Sequence, residues 1–179
     1  EACVAQGIST DTLMESAGLA VARCVRAALG GAAGAPTLVM VGPGNNGGDG
    51  LVAARHLQRW GARVTAYLVA PRKAEDPKLR LAQAQGVTII TAADDSDLGK
   101  LQRLLDRSRL VLDAVLGTGK ARPLEGGLKE AMQRLQEARS RRRDLLLVAL
   151  DLPTGLNADT GEVDAALRWT QDAACPAAD

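Results

Sequence analysis

Five short apolar runs, bounded by glycine, proline or charged residues, alternate along the chain with segments of helical spacing. The runs cover residues 37–41, 63–69, 87–90, 110–113 and 145–150. Runs of this length and composition are typical of strands that a parallel sheet buries on both faces. Because helical segments separate them, the pattern predicts an α/β fold in which helices cover both faces of a mostly parallel sheet.

The helical segments are the other half of that pattern. Four of them carry leucine, alanine and valine at helical spacing and lie between the apolar runs. They cover residues 48–60, 77–85, 95–107 and 124–143. A further helix precedes the first run, and Ser9 or Thr10 can cap its start. Asp11 and Glu15 would lie near the positive end of its dipole.

The length and charge of the chain limit its organisation and its partners. At 179 residues it is long enough to bury one core, which predicts a single domain over residues 1–179. The formal net charge of +1 gives no field that would steer nucleic acid or an anionic membrane, so neither is expected as a partner. No apolar run approaches the roughly 20 residues that a membrane helix needs. Three cysteines without regular spacing argue against a disulfide framework, and a cytoplasmic protein is expected.

The two ends of the chain depart from the alternating pattern. The sequence begins at Glu1 rather than Met, and after Val163 it becomes rich in alanine without a strand pattern. We therefore expect the domain to be truncated or divergent at both ends.

Three unusual loops follow the first, fourth and fifth apolar runs. Their sequences are GPGNNGGDG at residues 42–50, DAVLGTGKARP at 113–123 and DLPTGLN at 151–157. Each carries an Asp or an Asn near the end of its strand, beside glycines that let a ligand approach the backbone. In an open α/β sheet, ligands bind beyond the carboxyl ends of the strands. The sequence therefore predicts one binding site where the three loops meet.

The first loop also fits the dinucleotide pattern G-x-G-x-x-G, at residues 42–47. Its glycines would supply a tight turn and bare N–H groups for a phosphate. The acidic residue that the pattern wants about 20 positions later is absent, although Arg72 or Lys73 could accept a 2′-phosphate. Asp49 would repel a pyrophosphate unless it turned inward. An NADP-linked oxidoreductase therefore stays an alternative.

The second loop contains GTGK at residues 117–120, which suggests a nucleotide-phosphate loop. Ala114 and Ala121 stand where that motif requires a Gly and a Ser or Thr, so the motif is not present. Gly119 and Lys120 could still contact a phosphate, through backbone and charge.

His56 is the only histidine of the chain. It falls about two turns into the helix after the glycine-rich loop and points away from the binding edge, so a solvated or capping role is expected. The sequence has too few histidines and cysteines for a zinc site, and it has no nucleophile elbow for a hydrolase triad.

Asn46, Asp113 and Thr154 combine an amide, a carboxylate and a hydroxyl on the three loops. Hard cations select oxygen ligands, and one carboxylate among neutral oxygens suits a weakly charged ion better than magnesium or calcium. The alternative is that Asp113 and Asp151 cap loops by accepting hydrogen bonds from backbone N–H groups.

The three loop segments together resemble a known family. GPGNNGGDGLVAARHL at residues 42–57, DAVLGTGKARP at 113–123 and LDLPTGLNADTG at 150–161 look like the signature segments of the NAD(P)H-hydrate epimerases, the YjeF N-terminal domain family. GISTDTLMESAG, at residues 7–18, is similar to a helix start in that family. The resemblance runs over nearly the whole chain.

The resemblance implies a Rossmann-like three-layer α/β/α sandwich and an isomerase that interconverts the R and S epimers of hydrated NADH and NADPH. It implies a potassium ion bound by Asn46, Asp113 and Thr154. The implied substrate contacts are Asn45, Asn46, Gly47, Gly48, Asp49, Gly117, Thr118, Gly119, Lys120, Ala121, Arg122, Pro123 and Asp151. The implied functional partner is an ADP- or ATP-dependent dehydratase, which is often fused behind this domain. A homodimer is a further expectation.

Asp151 is the candidate catalytic residue. Epimerisation of a carbon that bears a hydroxyl beside a ring nitrogen needs one acid/base group to loosen and remake the C–O bond. Two features depart from the family, which usually has Ser at the position of Thr154 and a neutral residue at that of Lys120. A non-catalytic nucleotide-binding domain is the second alternative.

Overall fold

A central parallel sheet with helices on both faces forms the molecule. The computed structural model describes residues 9–73, 75–119, 123–165 and 167. Within that part of the chain, the helices are α1 (Thr10–Ala28), α2 (Asn45–Arg59), α3 (Pro77–Ala84), α4 (Gly99–Arg107) and α5 (Gly126–Arg141). The strands are β1 (Pro36–Val41), β2 (Arg63–Leu68), β3 (Thr88–Thr91), β4 (Leu110–Ala114) and β5 (Leu146–Ala149).

The strands lie in the order β3-β2-β1-β4-β5, and neighbouring strands pair in parallel. Consecutive parallel strands need a crossover, which the intervening helices provide. The direction of winding reverses between β1 and β4. A reversal of this kind opens a crevice at the carboxyl edge of the sheet, where ligands bind in doubly wound folds. The predicted fold class, and the strand positions to within about two residues, are confirmed.

The core has two halves, one on each face of the sheet. Helices α1, α2 and α3 contribute Val25, Leu51 and Ala82 to one face. Helices α4 and α5 contribute Leu105 and Leu135 to the other face. Leu and Val side chains fill both halves, which gives the three-layer sandwich. None of the described helices is long and apolar enough to cross a membrane.

The start of helix α4 differs from the predicted one. Helix α4 begins at Gly99 rather than at residue 95, because Asp95 lies outside the helix and accepts hydrogen bonds from the N–H groups of Lys100 and Leu101. A short 3-10 helix, Ala92–Asp94, precedes it. At the first helix, the prediction is confirmed: Ser9 is the cap, and its side chain accepts a hydrogen bond from the N–H of Thr12.

Candidate active site

A large cavity opens at the carboxyl edge of the sheet, where the connections that follow β1 and β4 turn to opposite faces. Its volume is about 1190 Å³, above the range of about 300–1,000 Å³ that is common for small-molecule sites. The three loops that the sequence singled out all contribute to its wall. They supply Asn45, Asn46 and Asp49 after β1, Gly117, Thr118, Gly119 and Pro123 after β4, and Asp151 after β5.

Helix α2 directs its N-terminus at this cavity. It begins at Asn45, three residues before the predicted start, and Gly44 is its cap residue without a side-chain hydrogen bond. The first N–H groups of a helix have no partner within the helix. The helix therefore offers backbone donors and the positive end of its dipole to the cavity, an arrangement that binds phosphates.

A hydrogen-bonded network joins the three predicted oxygen ligands. The amide nitrogen of Asn46 donates to the carbonyl of Leu116 (2.8 Å), and the N–H of Leu116 donates to the hydroxyl of Thr154 (3.0 Å). That hydroxyl in turn donates to Oδ1 of Asp113 (2.8 Å). Residues distant in sequence are thus held together through the backbone of Leu116, which sequence reasoning did not single out.

Asp113 is completely buried at the end of β4. Its carboxylate accepts hydrogen bonds from the N–H groups of Val115 (3.1 Å) and Thr154 (2.8 Å) as well as from the Thr154 hydroxyl. Burial raises the pKa of Asp113 above its usual value, although these hydrogen bonds oppose the shift. Its hydrogen-bond partners among the described residues are neutral, so there its negative charge is solvated by dipoles.

Asp151 is exposed on the cavity wall directly after β5. Its Oδ2 accepts a hydrogen bond from the N–H of Thr118 at 2.8 Å, which ties the loop after β5 to the loop after β4. Gly117 makes this contact possible, since a Cβ atom at that position would lie 2.6 Å from the same oxygen. Asp151 is therefore positioned by the backbone and still open to a ligand.

Asp49 faces the cavity from the first turns of α2. Among the described residues, its buried Oδ1 finds no hydrogen-bond partner. Burial raises the pKa of Asp49; the charge of Lys78 opposes this shift and that of Asp151 adds to it. A carboxyl that protonates more readily than usual repels a pyrophosphate less.

Other predicted substrate contacts lie elsewhere or outside the described residues. Gly47 and Gly48 do not line the cavity, because Gly47 packs against the carbonyl of Gly42 and Gly48 against the side chain of Met14. Their role in substrate binding stays a prediction. Lys120, Ala121 and Arg122 lie outside the part of the chain that the structure describes, as does the alanine-rich tail after Leu167.

The structure corrects two interpretations of charged residues. Of the two candidates for a 2′-phosphate, Arg72 is not free to accept it, because its side chain is only 9% exposed and contacts Asp76 and the carbonyls of Gly42 and Gly44. His56 is neither solvated nor a cap. Its side chain is 16% exposed, and its Nε2 lies 2.8 Å from Glu15, which also pairs with Arg55. The contacts of Glu15 with His56 and Arg55 join α1 to α2.

Sequence reasoning missed an apolar wall and part of one rim of the cavity. Ala17 and Val21 of α1 form the apolar wall, and residues 162–164 complete a rim with residues 155–157 of the third loop. The rim is a short hairpin in which the N–H of Asn157 donates to the carbonyl of Glu162. The sequence signal for this hairpin was the presence of Gly155 and Gly161. Both have a positive φ in the structure, which is typical of glycine in tight turns.

Comparisons with known proteins agree on one family. The model described as YjeF-related protein N-terminus matches residues 10–174. The bifunctional NAD(P)H-hydrate repair enzyme Nnr of Thermofilum pendens is 37% identical over 91% of this chain, and an NAD(P)H-hydrate epimerase of Rhodopirellula baltica is 34% identical over 84%. This chain spans 30% and 58% of the length of these two relatives. The crystal structure of yeast Ynu0 superposes with a TM-score of 0.76 at 27% identity, over 89% of this chain and 67% of that one.

Proposed function

The chain belongs to the family of YjeF-related protein N-termini, and we propose on that premise that it is an NAD(P)H-hydrate epimerase. Its substrates would be the hydrated forms of NADH and NADPH, whose R and S epimers it interconverts. The observation that carries the proposal is the convergence of the three signature loops on one cavity, with Asp151 on the wall.

The chemistry of the reaction requires an acid/base group beside the hydrated carbon. The hydroxyl leaves as water after it takes a proton, and the electron pair of the ring nitrogen forms an iminium. Water then adds from the other face and gives up a proton. Asp151 is the group that donates and recovers the proton, since it lies on the cavity wall with one oxygen held by Thr118.

The phosphates of the substrate would bind at the N-terminus of α2. Backbone N–H groups of Asn45 and Asn46 and the helix dipole favour anions there. Thr118 and Gly119 lie on the same cavity wall and would approach the substrate from the loop after β4. The apolar side chains of Ala17 and Val21 offer a surface for a ring.

The residues around Asp113 fit a potassium ion. The carboxylate carries a negative charge in a buried site where its described hydrogen-bond partners are neutral. The Thr154 hydroxyl lies beside it, and the Asn46 amide joins the same network through Leu116. One negative charge among neutral oxygens suits a singly charged hard cation. When bound, the ion would offset the charge of Asp113 and order the loops after β4 and β5.

A dehydratase would consume the product. Relatives such as the Thermofilum pendens protein are named bifunctional repair enzymes, and this chain matches only part of their length. We therefore propose that the chain acts together with an ADP- or ATP-dependent dehydratase, either fused or separate. Association of the epimerase as a homodimer stays a prediction.

The test is a coupled epimerisation assay. The protein is mixed with R-epimer hydrate, an excess of S-specific dehydratase and ATP or ADP, and the recovery of NADH is followed with and without potassium. We expect recovery faster than the spontaneous rate, and further acceleration by potassium. A folded, monodisperse sample that gives no acceleration contradicts the proposal and favours a non-catalytic nucleotide-binding domain.

The Asp151→Asn variant tests the catalytic assignment. We expect a loss of kcat by roughly 10²–10⁴-fold, because the variant keeps the shape but cannot exchange a proton. The matched control is Asp144→Asn, which alters an exposed carboxylate that pairs with Arg142 at 2.7 Å, away from the cavity lining. Asp144→Asn should retain activity. Full activity in a folded Asp151→Asn protein would show that another group moves the proton.

A further inference from the structure

Arg72 binds the glycine-rich loop, residues 42–50, on the side away from the cavity lining. Its Nη1 donates to the carbonyls of Gly42 and Gly44, the latter at 3.0 Å. Its Nε and Nη2 contact Oδ2 of Asp76 at 2.7 and 2.6 Å. One planar guanidinium thus joins two loop carbonyls to a carboxylate, which a lysine ammonium cannot reproduce with a single point charge.

Asp76 anchors the guanidinium to the fold. It is the cap residue of α3, and its Oδ1 accepts a hydrogen bond from the N–H of Lys78 at 2.9 Å. Burial tends to raise the pKa of Asp76, but the hydrogen bonds from Arg72 and Lys78 and the charge of Arg72 lower it overall. The Asp76 carboxylate stays charged at neutral pH, so its ion pair with Arg72 is kept there.

Arg72 helps to fix which way a critical peptide group faces, together with the N–H of Gly48, which also donates to the carbonyl of Gly44 (3.2 Å). The described chain contains no cis peptide bond, and in a trans peptide the C=O and N–H point in opposite directions. Since the carbonyl of Gly44 is turned to Arg72, the N–H of Asn45 points away from it. Gly44 and Asn45 both line the cavity, whereas Arg72 does not.

Gly47 shows how closely the loop is fitted to the guanidinium. A Cβ atom at this position would lie 2.7 Å from Nη1 of Arg72 and 2.0 Å from the carbonyl oxygen of Gly42. Gly47 therefore serves the contact between the loop and Arg72 instead of the cavity wall. The glycine pattern thus serves two surfaces, one facing the ligand and one facing the arginine.

We propose that Arg72 is a positioning residue that holds the glycine-rich loop so that the N–H of Asn45, at the start of α2, faces the pyrophosphate of the substrate. This inference rests on the proposed function for the class of ligand, a nucleotide with a pyrophosphate. Arg72 itself does not contact the ligand. It acts through the peptide group between Gly44 and Asn45.

The first test measures ligand binding without catalysis. Isothermal titration calorimetry with ADP-ribose, which carries the same kind of pyrophosphate, compares the wild-type chain with Arg72→Lys. We expect binding about tenfold weaker in the variant, since a displaced contact group loses affinity on this order or more. In the epimerase assay, the same variant should raise KM while kcat changes by less than about threefold.

The second test measures the loop directly. Amide hydrogen exchange of Gly48 should become about tenfold faster in Arg72→Lys, because its N–H donates to the carbonyl of Gly44 (3.2 Å), and that carbonyl loses its fixed orientation. The chemical control is Arg63→Lys, since Arg63 donates to the carbonyl of Gly34 (3.0 Å) away from the cavity lining. The stability control is Tyr67→Phe, which removes a buried hydrogen bond to Asp95. Neither control should alter ADP-ribose binding or the exchange of this amide.

The outcomes separate this inference from the proposed function. Weaker binding together with faster exchange, in Arg72→Lys alone, supports the positioning role. Unchanged binding or unchanged exchange overturns it, as does a wild-type chain that does not bind ADP-ribose. If Tyr67→Phe weakens binding as much as Arg72→Lys does, the effect is general destabilisation and the inference fails. A wild-type chain that binds ADP-ribose but does not accelerate epimerisation contradicts the proposed function and leaves the role of Arg72 intact.

Discussion

Two buried aspartates lie near the carboxyl ends of strands of the same sheet, and they have similar hydrogen-bond partners but opposite pKa shifts. Asp95 is 3% exposed and accepts from the N–H groups of Lys100 and Leu101 and from the hydroxyl of Tyr67. Asp113 is 0% exposed and accepts from two N–H groups and the hydroxyl of Thr154. Yet the pKa of Asp95 is lowered and that of Asp113 is raised.

The difference lies in what surrounds the hydrogen bonds. Burial pushes the pKa of both carboxyl groups upward. At Asp95, the donors are the first N–H groups of α4, and the charge of Lys100 adds to them. A helix N-terminus stabilises an anion. At Asp113, the donors belong to loops, and burial raises the pKa by more than these hydrogen bonds lower it.

Asp95 is thus a carboxylate that the fold stabilises by itself, whereas under the proposed function the charge of Asp113 is left for a bound cation. Asp95 fastens α4 to the sheet and has no part in the cavity lining. Asp113 lies beneath the cavity wall that Val115 and Leu116 form. Three variants or conditions test this distinction, from the largest expected effect to the smallest.

The largest effect is expected from Asp113→Asn on the response to potassium. The variant removes the negative charge at nearly constant volume. Because a buried charge pair is worth several kcal/mol, the half-saturating potassium concentration should rise about 100-fold or more. The measurement is the epimerisation rate against potassium chloride at constant ionic strength. An unchanged potassium response would remove Asp113 from the ion site.

The second effect is a loss of stability in Asp95→Asn. An amide cannot replace both accepting oxygens, so one donor among Lys100, Leu101 and Tyr67 loses its partner. The free energy of unfolding should fall by about 2 kcal/mol, as for a buried donor left unpaired. Urea denaturation measures it. The potassium response should stay as in the wild type, and a change in it would break the distinction between the two carboxylates.

The smallest effect is expected in the dependence of stability on pH, in which the two residues act in opposite directions. The folded pKa of Asp95 lies below its unfolded value of about 3.9, so its contribution is present above about pH 4 and is lost as the pH falls further. The folded pKa of Asp113 lies above that value. Its contribution is full below about pH 4 and is lost as the pH rises through the folded pKa.

Denaturation between about pH 3 and pH 8, without potassium, checks these signs. In Asp95→Asn, the free energy of unfolding should fall less than in the wild type as the pH is lowered. In Asp113→Asn, it should fall less than in the wild type as the pH is raised. Added potassium should offset the alkaline loss in the wild type and in Asp95→Asn, but not in Asp113→Asn. If both variants flattened the same side, the two carboxylates would not differ as described.

Much of the fold and part of the site could be predicted locally. The strands were predicted because an apolar run between glycine, proline or charged residues has one good solution in a buried parallel sheet. Asp113 and Asp151 were placed at strand ends because Asp113 is the last residue of such a run and Asp151 directly follows one. The start of α2 was missed, since Gly47 and Gly48 lower helix propensity and only packing against Gly42 and Met14 overrides it.

The sequence by itself determined the alternation of strands and helices, and with it the edge of the sheet at which polar loops meet. These features depend on periodicity and on the chain order of neighbouring elements. Tertiary structure alone decided that Arg72 grips the glycine loop, that His56 pairs with Glu15, and that the backbone of Leu116 links Asn46 to Thr154. Such contacts join residues 28 to 70 positions apart. No local pattern specifies them, because they arise only when the sheet brings its loops together.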